Sequence, residues 1–398
     1  MLGVTSSSLV SPKNLQKKIM TSRDRLLTAL SGKIPDRVPI STYELCARNS
    51  RSFENNESSY SDLMNFIRQN TDAITYWGFP SNHRKVYSSY KPDETVELSE
   101  SRGFHVQKKI IRTPHRTLTA TSKWTDDIKT TWAVEHLCKN TADVDALMNL
   151  PWEPVTYNAE DYPRIISELG NNAEHGIIMT SVGDPVLCAM ELMEFGEAMV
   201  WALTEKEHFG NILKELHRRN IINIKNMLET QKQELLPIDL YRIVGPEYIT
   251  PPYLPPSYFE EFVFPYMCEI VELIHSCGAM ARIHCHGRIG RVLDMMIASG
   301  ADAIDPCEAP PDGDIELADV KKKCAGKMTI FGNLELKLLE QGTTNDVKHA
   351  VRNCMKAAKE GGGYVILPTA APINIPLEPQ TAENYKTFIT TALEEGRY

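Results

Sequence analysis

His284 and His286 flank Cys285 in the run Met280-Ala-Arg-Ile-His-Cys-His-Gly-Arg288, whose character predicts a short strand. Side chains alternate across a strand, so the two histidines share one face and Cys285 points to the other. Two imidazoles about 7 Å apart on one face make a metal chelate or an acid–base pair. The plainer reading is one partly buried histidine with a hydrogen-bonded neighbour. Gly287 allows a sharp turn where the strand stops. Two acids close neighbouring runs: Glu247 ends Val244-Gly-Pro-Glu, and Glu308 ends Asp305-Pro-Cys-Glu. Adjacent strands lie about 4.8 Å apart, so Glu247, His284, His286 and Glu308 can converge on one ion. Such a set suits Zn²⁺ with an exchangeable position, and Fe²⁺ would also accept it. The alternative is metal-free acid–base chemistry.

Glu44 and Asp184 stand farther round the same rim, as candidates to orient substrate or deliver a proton. With Glu247 and His284 they make the expected catalytic group. Asp184-Pro185 is also a sequence that caps a helix. Tyr76 and Trp77 would wall a flat substrate, unless they are core aromatics. Asn333 would donate a hydrogen bond to substrate or cap the helix after it.

The elements that must position these residues alternate. Eight β-type runs appear: Arg37–Glu44, Ala73–Phe79, Gly176–Asp184, Leu240–Glu247, Ala281–His286, Ala303–Cys307, Met328–Asn333 and Tyr364–Pro368. Helical patterns separate most of them, among them Tyr258–Ser276 and Thr344–Glu360. Repeated β-then-α units imply a parallel sheet, and eight of them predict an α/β fold of the (β/α)₈ TIM-barrel type. No GxGxxG follows a strand, which disfavours the open doubly wound alternative. In a barrel, chemistry gathers at the C-terminal strand ends, where the residues above fall. Residues 85–138 break the rhythm with alternating Thr, Val, Ile and Tyr, and predict β-hairpins inserted after the second strand. They form either a flap over the mouth or a surface decoration. The domain reading is a leader over residues 1–20, extended or disordered, and a single barrel domain over 21–398.

Composition narrows the function. The chain has 398 residues, 42% hydrophobic and 24% charged, as in a soluble globular enzyme. A net charge of −9 without a dense basic cluster argues against a nucleic-acid surface. Acids interrupt the longest apolar stretch, Ile177 to Leu203, so no membrane span is expected. Nine scattered cysteines without CxxC, and an opening segment with no apolar signal region, point to reduced thiols in a cytoplasm.

Several segments carry a family likeness. Arg23-Asp-Arg-Leu-Leu-Thr-Ala-Leu-Ser-Gly-Lys-Ile-Pro-Asp-Arg-Val-Pro, Pro255-Pro-Ser-Tyr-Phe-Glu-Glu-Phe, the His-x-His-Gly strand and Phe331-Gly-Asn333 resemble the uroporphyrinogen decarboxylase superfamily. The likeness runs from about residue 20 to 398 and implies a distorted (β/α)₈ barrel. Decarboxylases of that family carry an Arg-Gln-Ala-Gly-Arg stretch after the first strand. Here the region reads Ser41-Thr-Tyr-Glu-Leu-Cys-Ala-Arg, and Thr369-Ala-Ala-Pro replaces a late histidine. An acid in place of cations would repel a polycarboxylate. The resemblance therefore implies the corrinoid-dependent methyltransferase branch. Thiol-methylating members use a zinc site of His-x-Cys and a late Cys. His284 matches the first, His286 replaces the second, and the third is absent. The O-demethylase members use Glu and His, for which Glu247, His284 and Glu260 or Glu261 stand in comparable places. The implied function is transfer of a methyl group from an aryl methyl ether to the Co(I) corrinoid of a partner protein, assisted by Zn²⁺. The alternatives are a methylcobamide:thiol methyltransferase and a decarboxylase of a smaller acid clamped by Arg242, Arg282 or Arg288. The family often forms homodimers.

Overall fold

The computed structural model describes residues 20–83, 86–89, 93–170 and 173–398. The expected leader lies outside them, apart from Met20. Seven strands form one parallel sheet in the order β1 (Ala73–Tyr76), β6 (Gly176–Gly183), β7 (Leu240–Val244), β8 (Met280–Cys285), β9 (Ala303–Pro306), β10 (Thr329–Leu334) and β11 (Tyr364–Pro368). Runs such as Tyr364-Val-Ile-Leu-Pro are apolar on both faces, as strands covered on both sides must be.

The eighth run, Arg37–Glu44, is not a strand. It joins β11 through one isolated parallel bridge, Ile40 to Ile366. Pro39 has no N–H to give, and the Ile40 N–H donates to the Asp72 carboxylate at 2.9 Å instead of to a ladder. On its other side, the Asp72 N–H donates to the Ile40 carbonyl. The fold is thus an α/β barrel-like arc of seven strands with an irregular eighth segment, where eight regular strands were expected.

The interior separates into two levels. The lower level is an apolar cluster of Ile74, Ile177, Met179, Leu240, Ala303, Phe331, Val365 and Leu367. Helix Ser22–Leu30, capped by the Thr21 side chain, adds Leu26, Ala29 and Leu30 to this same cluster and closes its end. Ionic contacts fix the helix: Arg23 binds Asp239 through both terminal nitrogens, and Arg25 binds Asp36 and Asp72. The last residues knit to the start of the chain, with Arg397 bridging Arg37 and the Val38 N–H donating to the Gly396 carbonyl. The upper level carries charge and is described below.

The segment expected as an insertion holds a second sheet, antiparallel, in the order β2 (Asp93–Ser101), β3 (Phe104–Arg112), β4 (Thr117–Trp124) and β5 (Trp132–Glu135). Ile111 and Leu118, opposite one another, are buried in the main core. Leu98, Trp132 and Val134, toward the sheet's edges, are exposed. No helix among the described residues is long and apolar enough to cross a membrane.

Asp72 is the joint of the irregular segment: its carboxylate, side chain 0% exposed, holds Arg25, Arg37 and the Ile40 N–H. Removing one partner of a buried ion network leaves uncompensated charge. Asp72→Ala is expected to lower unfolding free energy by about 3–5 kcal/mol, read from urea denaturation. A loss under 1 kcal/mol would show that the joint is dispensable.

Candidate active site

Register places the upper-level residues side by side. Arg242 pairs Arg282 across β7 and β8, and His284 pairs Asp305 across β8 and β9. Asp305 is fully buried and lies at the centre. Its Oδ1 accepts from Arg282 Nε at 2.6 Å, its Oδ2 accepts from His284 Nδ1 at 2.9 Å, and Arg242 Nη2 lies 3.8 Å away. Burial alone would raise its pKa, but Arg282, His284 and Arg242 hold it well below the usual carboxylate range. The ionised carboxylate only accepts, so His284 Nδ1 carries the hydrogen and Nε2 is left with a lone pair. Burial pushes the His284 pKa down against the pull of Asp305. His284 is therefore neutral at neutral pH.

His286 is built the same way and tuned in the opposite sense. Its Nδ1 lies 2.7 Å from Glu308 Oε1, and the Gly287 N–H donates to Glu308 Oε2 at 2.5 Å. Gly287, at φ +86°, makes the turn that brings its own N–H to the acid. Burial disfavours the imidazolium, yet Glu308, with Asp305 and Glu247, raises the His286 pKa above its ordinary value. Glu308 is correspondingly lowered despite burial. The two rings stand 4.6 Å apart at 88°, while Cys285 turns away to Thr250, 3.3 Å from its hydroxyl. Burial raises the Cys285 pKa well above an ordinary thiol, so no thiolate is available there.

The expected four-ligand metal set is not assembled. Glu308 is spent on His286 and Gly287, and Glu247 Oε2 accepts from the Gly245 N–H at 3.0 Å. Among the described residues no three or more His, Cys, Asp or Glu side chains are grouped to hold a metal ion. Glu247, His284, His286 and Glu308 are thus not gathered into the tetrahedral Zn²⁺ site expected of them, and Glu308 backs the His286 imidazole.

Other expected residues take mixed places. Asp184 Oδ1 caps helix Pro185–Met190 through the Leu187 N–H at 2.8 Å. Its Oδ2 is buried without a partner, and burial next to Glu247 raises its pKa well above the carboxylate range. It packs so closely on Gly245, at φ +124°, that a Cβ there would meet Asp184 Oδ1 at 2.1 Å. Glu44 sits exposed at the rim and pairs with Arg242 at 2.8 Å. Tyr76 and Trp77 line a cavity of about 500 Å³ bounded by β1 and β6, with Trp77 buried against Phe79 and Tyr162. The Asn333 amide donates to the Cys307 carbonyl at 2.8 Å, its Oδ1 faces the Cys354 thiol, and the helix that follows has no side-chain cap, so the expected capping role is not filled. Glu261 pairs with Lys206 on a solvated face. Asp305, the hub, was legible only as one acid in a strand end beside Pro306; its role depends on sheet register.

A profile of the uroporphyrinogen decarboxylase (URO-D) family matches residues 130–388, well over half of the chain. The protein belongs to the URO-D family. Among solved structures, a methyltransferase from Methanosarcina mazei superposes with a TM-score of 0.57 at 15% identity, covering 94% of this chain and 99% of that one. At that identity the likeness shows a shared fold. A D-psicose 3-epimerase solved with D-fructose aligns at a TM-score of 0.31 and 8% identity, over 59% of this chain and 83% of its own, too weak a likeness to use. No curated protein sequence matches the chain. In this URO-D chain the mouth is thus furnished with two carboxylate-backed imidazoles, one neutral and one inclined to hold a proton.

The opposed tuning has a signature. In a ¹H–¹³C NMR titration, His284 should titrate below the ordinary histidine value of about 6.5 and His286 above it. Glu308→Gln should bring His286 down without raising His284. A depressed folded pKa means that stability present above the unfolded value is lost as pH falls. His284 and Asp305 therefore weaken the fold on acidification below about pH 6.5 and then about pH 4, while His286 opposes the first loss. Two histidines titrating together near 6.5 would refute the assignment.

Proposed function

We propose that this URO-D family member is a methyltransferase that moves a methyl group from an aryl methyl ether to the corrinoid of a partner protein. One observation carries the reading: a neutral imidazole and a proton-holding imidazole stand 4.6 Å apart at the strand ends. Environments that push two like groups apart in pKa assign an acid and a base. The fold shared with the Methanosarcina mazei methyltransferase supports the same class.

The corrinoid supplies a strongly nucleophilic methyl acceptor; this chain supplies the proton and the geometry. The ether C–O bond breaks with its electron pair left on oxygen, and a phenolate is a poor leaving group. His286, protonated, donates its Nε2 hydrogen to that oxygen, so the product leaves as a phenol. Glu308 stabilises the imidazolium beforehand and fixes the ring. His284, held by Asp305, offers its Nε2 lone pair as a hydrogen-bond or proton acceptor that orients the donor. A partner-borne acceptor must reach the site from solvent, and the His286 side chain, 38% exposed, meets that need. No step here requires a metal.

The rival chemistries fit less well. The thiol-methylating members use a His-x-Cys zinc site, and here His286 stands in the cysteine's place while Cys285 turns away to Thr250. A small-acid decarboxylase needs free cations; Arg242 is bonded to Glu44 and Arg282 to Asp305, which leaves Arg288 alone of the three expected.

Purified protein with a reduced corrinoid protein and a panel of methoxyarenes should yield phenol and the methylated corrinoid. The rate should fall as pH rises through the raised His286 pKa, because the acid form is lost. His286→Gln should cost about 10²–10⁴-fold with unactivated ethers and much less with a nitro-substituted leaving group, which needs no proton. Carbon dioxide release without corrinoid, or no turnover across the panel, would reject the proposal.

A further inference from the structure

We infer that the Tyr43 hydroxyl is the hydrogen-bond donor that holds the reacting oxygen of the substrate, a methoxyl oxygen before transfer and a phenolic oxygen after it. This deepens the reading above and rests on it. Tyr43 lies on the irregular segment between Ile40 and Glu44, packed against the interior apolar cluster. Arg242 Nη2 donates to its oxygen at 2.6 Å, and the guanidinium carbon lies 5.1 Å from the ring centroid. The tyrosine oxygen therefore spends its acceptor capacity on a cation. Its own O–H hydrogen has no protein acceptor among the described residues, so it is left for a ligand. A phenol that accepts from a guanidinium is polarised and donates more strongly.

Position points to the same role. The Tyr43 ring stands 6.2 Å from the His284 ring, and the hydroxyl feels the charges of Arg242, Asp305, Glu44 and Arg282. Burial raises its pKa, so it stays a donor at working pH. Tyr43 also holds φ +56°, a left-handed conformation unfavourable for an aromatic residue. Such outliers persist where the surroundings over-determine them, and they cluster at functional sites. Arg242, itself anchored by Glu44, supplies that constraint here. Cys307, at φ +57°, is a second such residue and directly precedes Glu308.

In the transfer step, the C–O bond breaks and its electron pair remains on oxygen. Tyr43 donates a hydrogen bond to that growing charge and keeps its proton, while the proton that ends on the product comes from His286. Donors aimed at developing charge act on the transition state, so the loss should appear in kcat more than in KM.

The test binds 4-nitrophenol, read by its yellow phenolate absorbance. Wild-type protein should bind it with a larger phenolate fraction than bulk solution at the same pH. Tyr43→Phe, which keeps the ring packing, should weaken binding about 10- to 100-fold in a protein that still unfolds cooperatively, with a modest drop in melting temperature from the lost Arg242 contact. Incorporating 3-fluorotyrosine at position 43, which keeps the donor, should restore it and controls for misfolding. Equal affinity of wild type and Tyr43→Phe, or no phenolate binding by wild type, overturns the inference. Tyr43-dependent binding in a wild-type protein that turns over no methoxyarene would keep this oxygen site and sink the methyl-transfer reading alone.

Discussion

A single carboxylate without solvent contact organises the mouth of this barrel-like sheet. Asp305 must be satisfied where it lies, because an isolated ion in a dry interior costs many kcal/mol. Arg282, His284 and Arg242 supply that satisfaction, and each is thereby fixed. Arg282 lies over the Phe331 ring at 4.4 Å and seals the apolar level beneath. Arg242 reaches outward to Glu44 and Tyr43. The histidine receives a defined tautomer. One buried charge thus sets a chain of orientations that runs from the core to the rim.

The second imidazole repeats the motif under wetter conditions, and the difference in burial decides the chemistry. Asp305 holds His284 where desolvation wins, so the ring loses its proton readily. Glu308 holds His286 where the pairing wins, so the ring keeps it. The same residue pair, carboxylate and imidazole, yields a base or an acid according to water access and the charges around it.

Much of this was legible in the sequence. Alternation placed His284 and His286 on one face and Cys285 on the other, and strand-end acids marked the rim. The pairings were not legible. Asp305 and Glu308 are both acids near one strand end that could serve as ligands or as supports; the register of β8 against β9 sets Asp305 beside His284, and the turn at Gly287 brings its N–H to Glu308. Asn333 read as a donor because its neighbours were apolar; the Cys307 carbonyl that occupies it comes from another strand. The eighth strand was over-read because Arg37–Glu44 has strand composition. Pro39 and the carboxylate that takes the Ile40 N–H cancel the ladder. Nothing local in the sequence foretells the left-handed backbone of Tyr43 or the hydrogen bond its hydroxyl accepts from Arg242, far along the chain.

The seam between Arg37 and Arg397 has an architectural corollary. Arg37 and Val38 meet Gly396 and Arg397 near the lower apolar level, away from the histidines. A tether, reporter or immobilising surface joined beyond Tyr398 would hang from the base and leave the opening clear for a visiting macromolecule.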